Sequence, residues 1–126
     1  MNVVDSSAWL AWFADEAGAR SFEDAIEDTA SLLVPSICVT EVFKVVARQR
    51  SEGAALQVVA VMNQSEVIPL SSDLAVSAAV LGLKHKLPLA DSIVYATAKS
   101  RGATLWTQDE DFEGLPQVRF FRKHRA

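Results

Sequence analysis

Five carboxylates stand where the ends of structural elements are expected. Asp5 follows the apolar "NVV", Glu41 sits inside "ICVTEVFKVV", and Asp91 comes just after Pro88 in "PLADSIVYATAKSRG". Asp109 and Asp111 lie in "TQDEDF", directly after "ATLWT". If these groups converge they repel one another, by roughly 4 kcal/mol for two unit charges about 4 Å apart at an effective dielectric near 20. A ligand set made only of oxygen, with no His or Cys among it, suits a hard divalent cation such as Mg²⁺ or Mn²⁺. Such an ion acidifies bound water and polarises a phosphoryl oxygen, so hydrolysis of a phosphodiester is the chemistry that follows most directly. Each acid also has a plainer reading. Asp5 can cap the helix that follows, Asp91 can favour a helix dipole, Glu41 can pair with Lys44, and Asp109 and Asp111 can be solvated turn residues.

Convergence requires a scaffold, and the pattern of the chain predicts one. A strand over about residues 2–5 leads into "SSAWLAWFADE", whose apolar residues recur at helical spacing behind Ser6 or Ser7 as a cap. "ARSFEDAIEDTA" reads as a second, more solvated helical stretch after Gly18. "SLLVP" is a strand closed by Pro35, followed by an amphipathic helix over "ICVTEVFKVVARQR" that Gly53 helps to end. "AALQVVAVMNQ" is a helix, "EVIPL" a strand, and "SSDLAVSAAVLGLKHK" a helix behind a serine cap. A helix opened by Pro88 and closed by Gly102, the strand "ATLWT", a short turn or helix over "DEDF" and an edge strand "VRFFR" complete the chain. Strands that alternate with helices predict an α/β fold, a mainly parallel sheet covered by helices on both faces. In such folds sites form outside the carboxyl ends of strands, where Asp5 and Asp109 both fall.

At 126 residues, half of them hydrophobic and 22% charged, the chain has the size and balance of one compact domain spanning 1–126. The single Cys38 excludes an intramolecular disulfide and, with only His85 and His124 beside it, makes a structural zinc site a poor reading. Cys38 is expected to be a small buried apolar residue, and both histidines to be solvated. The absence of a leader pattern and of a run of about 18 apolar residues predicts a cytoplasmic protein with no membrane contact. Net charge is −4, yet Met1–Phe43 holds one basic residue against eight acids, whereas the remainder holds eleven basic residues against eight acids. The basic tail, Arg119, Arg122, Lys123 and Arg125, is therefore a candidate for contact with nucleic-acid phosphates, with Lys84 and Lys86 as further candidates. Trp9, Trp12 and Phe13 recur at helical spacing and are expected in the core or an interface.

"VVDSSAWLAWF", "PSICVTEVFKV" and "KLPLADSIVYATAKSRGATLWTQDEDF" together resemble the PIN domain, and within it the VapC-like toxins of toxin–antitoxin pairs. The likeness spans nearly the whole chain and keeps the order of the motifs. It implies a PIN-like fold and a metal-dependent endoribonuclease with Mg²⁺, or Mn²⁺, held by Asp5, Asp91 and Asp109. By the same resemblance Glu41 ligates or positions a water, Asp111 supports the site or serves as a substitute ligand, and Ser6 and Thr107 orient a carboxylate or a phosphate. It further implies an RNA substrate, a homodimer, and a small DNA-binding VapB-like antitoxin whose C-terminal segment blocks the site.

A competing reading from another class is a non-catalytic PIN-like module that keeps its acids for stability and only binds a partner protein. A phosphoacceptor receiver domain has similar length and alternation, but the first strand here lacks an acidic pair. A haloacid-dehalogenase-like phosphatase would show aspartates two apart after that strand, where this chain has Ser7.

Overall fold

The protein is described by a computed structural model over residues 1–123. The strands are β1 (Asn2–Val4), β2 (Leu32–Pro35), β3 (Glu66–Ile68), β4 (Thr104–Thr107) and β5 (Val118–Phe120). The helices are α1 (Ser6–Phe13), α2 (Glu23–Glu27), α3 (Ser36–Gln49), α4 (Glu52–Met62), α5 (Ser72–His85) and α6 (Leu89–Ser100). The strands form one sheet in the order β3-β2-β1-β4-β5, and every pairing is parallel. Parallel strands need crossovers long enough to carry helices, and those helices bury the sheet. Val3, Val4, Leu33, Val34 and Leu105 are accordingly fully buried, packed with Trp9, Tyr95 and Phe112 in one core.

The chain passes from β1 outward through β2 to β3, then returns to the other side of β1 for β4 and β5. The order thus reverses between β1 and β4, the place where sheets of this kind form their sites, outside the carboxyl ends of the strands. Asp5 directly follows β1, and Asp109 follows β4 after Gln108.

Local chemistry explains most boundaries. Asp5 is the N-cap of α1, its carboxylate accepting the Ala8 N–H at 3.1 Å, so the plain reading of that residue holds alongside any other. Ser51 and Ser71 cap α4 and α5 in the same way. Proline precedes α3 and α6, where a missing N–H costs nothing because first-turn donors have no intrahelical partner.

The stretch "ARSFEDAIEDTA" departs from expectation. It divides into a 3₁₀ turn Ala19–Phe22, the five-residue α2 and a second 3₁₀ turn Thr29–Ser31, with Asp28 leaving helical geometry at ψ 70°. Glu23, Asp24, Glu27 and Asp28 crowd one turn and a half with no cation at the i+4 positions to offset them. Only Ala19, Phe22, Ala25 and Ile26 there are buried, too few to hold a longer helix. His85, expected to be solvated, packs edge-on against Tyr95 with ring centroids 5.5 Å apart. Trp9 is buried, and Trp12 and Phe13 pack on the core beside it. His124 lies outside the described residues. No helix among those described is long and apolar enough to cross a membrane.

Helices α5 and α6 approach closely at Gly82, where an added Cβ would lie 3.0 Å from the Ser92 Cβ. Gly82→Ala is expected to lower stability by about 1–2 kcal/mol through overpacking, despite alanine's better helix propensity. Urea titration of the variant would show it as a fall in the midpoint at unchanged slope.

Candidate active site

Three of the expected acids meet in one tight group. Asp91, Asp109 and Asp111 each present a carboxylate oxygen within 4.8 Å of the others. Asp91 arrives in the first turn of α6, and Asp109 and Asp111 on the turn that follows β4. Asp109 caps that 3₁₀ turn by accepting the Asp111 N–H at 2.9 Å, which brings Asp111 back toward the sheet edge. The sequence left Asp111 either as support or as a substitute ligand, and the structure seats it in the group itself.

Asp5 sits apart from that trio, buried at 4% exposure. Its Oδ1 accepts from Ala8 N–H and the Ser7 hydroxyl, and its Oδ2 from the Ser7 hydroxyl at 3.0 Å and the Thr107 hydroxyl at 2.8 Å. The Thr107 oxygen also accepts the Asp109 N–H at 2.9 Å, so one hydroxyl ties the end of β1 to the residue leaving β4. The β1–β4 register sets this up: Val4 pairs with Trp106, and each chain then runs on by one residue to Asp5 and Thr107.

Glu41 lies half-buried on the second turn of α3 and accepts the Ser6 hydroxyl at 2.7 Å. No Glu41–Lys44 ion pair occurs among the described residues. Ser6, expected to orient a carboxylate or a phosphate, has the Glu41 carboxylate as its hydrogen-bond partner. Ser7 and Gln108 also belong here, although neither stood out in the sequence. Ser7 bridges both Asp5 oxygens, and the Gln108 amide donates to the Ser7 carbonyl at 3.4 Å. The only signal was the run of two serines after Asp5, and a serine there is equally a cap.

Electrostatics records the crowding. Burial pushes Asp5 up to about 6 against three opposing hydrogen bonds, and the charge of Asp109 adds to the rise. Asp91 is pushed up to about 7, first by burial, then by the charge of Asp109, by hydrogen bonding and charge from Asp111, and by the charge of Asp5. Cys38, fully buried, has its thiol pushed far up by desolvation and then by nearby Asp5, Glu41 and Asp91, partly offset by a hydrogen bond with Ser6. It is an inert part of the floor rather than a nucleophile.

The tail residues are engaged in other ways. The Arg119 guanidinium lies 4.2 Å from the Trp106 ring centroid, its direct cross-strand partner. Arg122 pairs with Glu113 at 3.1 Å and reaches Glu110 at 3.7 Å. Lys123 lines a groove between α1, α3 and α4, and Arg125 lies outside the described residues. Lys84 and Lys86 are exposed near the start of α6.

A parallel α/β sheet with acids gathered at the reversal of its strand order defines the class. The chain matches the PIN domain over residues 3–117 and belongs to that family. No curated protein matches it. Among solved structures it is similar to a toxin–antitoxin complex from Klebsiella pneumoniae, with a TM-score of 0.80 and 24% identity over 98% of this chain and 100% of that one. It is similar to VapC20 of Mycobacterium tuberculosis, described as a toxin that cleaves the sarcin-ricin loop, with a TM-score of 0.76 and 19% identity over 94% and 99% of the two chains. A DNA-bound VapBC from Salmonella typhimurium has a TM-score of 0.71 and 17% identity over 96% of each chain.

Proposed function

We propose that this protein, a single PIN domain over residues 1–126, is a divalent-metal-dependent endoribonuclease that serves as the toxin of a toxin–antitoxin pair. The observation that carries the reading is the convergence of Asp91, Asp109 and Asp111 within 4.8 Å, beside buried Asp5, at the carboxyl edge of the sheet. The donor set fits Mg²⁺ or Mn²⁺, since every available ligand atom is a carboxylate oxygen. Asp91, Asp109 and Asp111 would hold the ion, with Asp5 completing the negative charge. Bound there, the ion would supply Lewis acidity toward a phosphoryl oxygen and lower the pKa of water.

The chain's own side chains prepare this chemistry. Thr107 and Ser7 hold the Asp5 carboxylate in one orientation, and Thr107 positions Asp109 through its N–H. Ser6 holds Glu41 through Oε1, which leaves Oε2 to orient an attacking water in line with the scissile bond. Thr107→Val removes both contacts of that hydroxyl at once. The variant is expected to bind Mn²⁺ about 10-fold to 100-fold more weakly, as measured by calorimetry, because partners that orient ligands have effects of that size.

The partners follow the same reading. A groove of about 600 Å³ between α1, α3 and α4 is lined by Leu10, Phe13, Val45, Val46, Val58 and Val61 and reaches Ser7 and Gln108 at the edge of the site. An amphipathic segment of a VapB-like, DNA-binding antitoxin seated there would end against the acids. Exposed Val76, Val80 and Leu83 form an apolar row on α5, which suits the interface of a homodimer. The setting of this activity is the cytoplasm.

The test is cleavage of total cellular RNA by purified, partner-free protein with Mg²⁺, with Mn²⁺ and with chelator, the product ends being mapped by sequencing. Discrete cuts that appear only with metal support the nuclease and name its substrate. A folded protein that binds metal but cuts nothing turns the assignment toward a module that only binds protein.

A further inference from the structure

Four of the cations whose surroundings the structure describes are already engaged. Arg101 pairs with Glu66 at 2.8 Å, Arg122 with Glu113, Arg119 covers Trp106, and the Lys99 ammonium lies 5.9 Å from the Tyr95 centroid. Arg50 and Lys123 face the groove between α1, α3 and α4. Arg20, Lys84 and Lys86 are exposed and make no ion pair among the described residues, and Lys44 and Arg48 differ from them in lying on α3, the helix that carries Glu41. Both are exposed, and neither pairs with a carboxylate among the described residues.

Helical geometry places them in register with the site. At about 100° per residue Arg48 lies almost directly in line with Glu41, two turns on, and Lys44 is offset from it by about 60°. Along the axis they stand about 4.5 Å and about 10 Å beyond Glu41. The buried side of the same helix is Cys38, Val42 and Val46, which turns the row outward. One end of this row is therefore anchored at the acids, since Ile37 packs under α5 and α6 and Glu41 is tied to Ser6. Its other end is a pair of free cations in a chain whose first 43 residues are strongly acidic.

The geometry points to Lys44 and Arg48 as the phosphate-binding ridge that guides the RNA backbone away from the scissile position. This deepens the ribonuclease reading and rests on it. The ridge offsets the repulsion that an acidic protein exerts on a polyanion, and it does so without base contacts, so it adds affinity but no sequence preference.

The experiment is binding of a fluorescein-labelled, mixed-sequence single-stranded RNA in chelator, followed by anisotropy across a salt series. Compared are the full-length wild type, Lys44→Gln/Arg48→Gln, Lys44→Arg/Arg48→Lys, and Arg20→Gln/Arg101→Gln as a variant with the same charge loss elsewhere. The ridge variant is expected to bind about tenfold more weakly at low salt, with a log–log salt slope shallower by about 1.4, or about 0.7 for each lost contact. The charge-conserving variant, Lys44→Arg/Arg48→Lys, should keep the wild-type slope, and all four should unfold at similar temperatures. A ridge variant with the wild-type slope, or a control that loses as much, overturns the ridge while leaving the nuclease standing. Wild-type protein that fails to bind RNA at any salt overturns the ribonuclease reading, and the ridge with it.

Discussion

Asp91→Asn is expected to cut metal-dependent RNA cleavage by at least about a hundredfold, since loss of a group that merely orients a ligand already costs about 10-fold to 100-fold. Asp91 is the acid with the most carboxylate neighbours acting on it, Asp109, Asp111 and Asp5, and it shares a tight group with the first two. Asparagine keeps the volume and one oxygen but removes the charge that attracts a cation. The same change relieves repulsion, so the metal-free variant should melt above the wild type at about pH 8. Loss of cleavage with a raised melting temperature separates a missing ligand from a misfolded chain. Retained metal-dependent cleavage in a folded Asp91→Asn protein would sink the assignment.

The second large effect is on stability and runs against the usual behaviour of aspartates. The folded chain holds Asp5 up at about 6 from an ordinary 3.8, chiefly by burial. Between those values the native state binds more protons than the unfolded one, so stability from this group is full below about pH 3.8 and is lost as pH rises through about 6. The raised value corresponds to about 3 kcal/mol at neutral pH, a penalty that Asp5→Asn avoids. In chelator, the stability of Asp5→Asn relative to wild type should therefore grow by about 2 kcal/mol between about pH 4 and about pH 7.5. Chemical denaturation at a series of pH values measures this directly, and a flat difference would mean that Asp5 is as well solvated in the folded chain as in the unfolded one. Asp91, also raised, acts in the same direction. A divalent cation should reverse the loss most at about pH 8 and above, where it need not displace protons from these carboxyls.

Both effects start from the same arrangement, a carboxylate cluster that the fold stabilises poorly without a counterion. Sites built for cations commonly have this character, because the strain that burial imposes on the empty ligand set becomes affinity when charge is neutralised.

Much of this was legible in the order of residues. Short apolar runs, serine and aspartate caps, prolines at helix starts and acids at strand ends are local signals, and local signals survive translation into sequence. They were sufficient for an α/β fold, for every strand, and for placing Asp5 and Asp109 at one edge. The solvated stretch after Gly18 was misjudged, because helical periodicity there was outweighed by four uncompensated acids and too little apolar surface. What only the tertiary structure decided depends on neighbours distant in the chain. The strand order decides that β1 and β4 are adjacent, so that Thr107, 102 residues from Asp5, completes its hydrogen bonds. It seats Asp111 beside Asp91, stacks Arg119 on Trp106, and leaves Lys44 exposed without an ion pair to Glu41. A residue's type and its place on an element follow from sequence, because backbone preference and burial are local or periodic. Which carboxylates share a proton or a cation, and which cations remain free, follows only from the fold, because Coulomb energy and desolvation depend on distances in space.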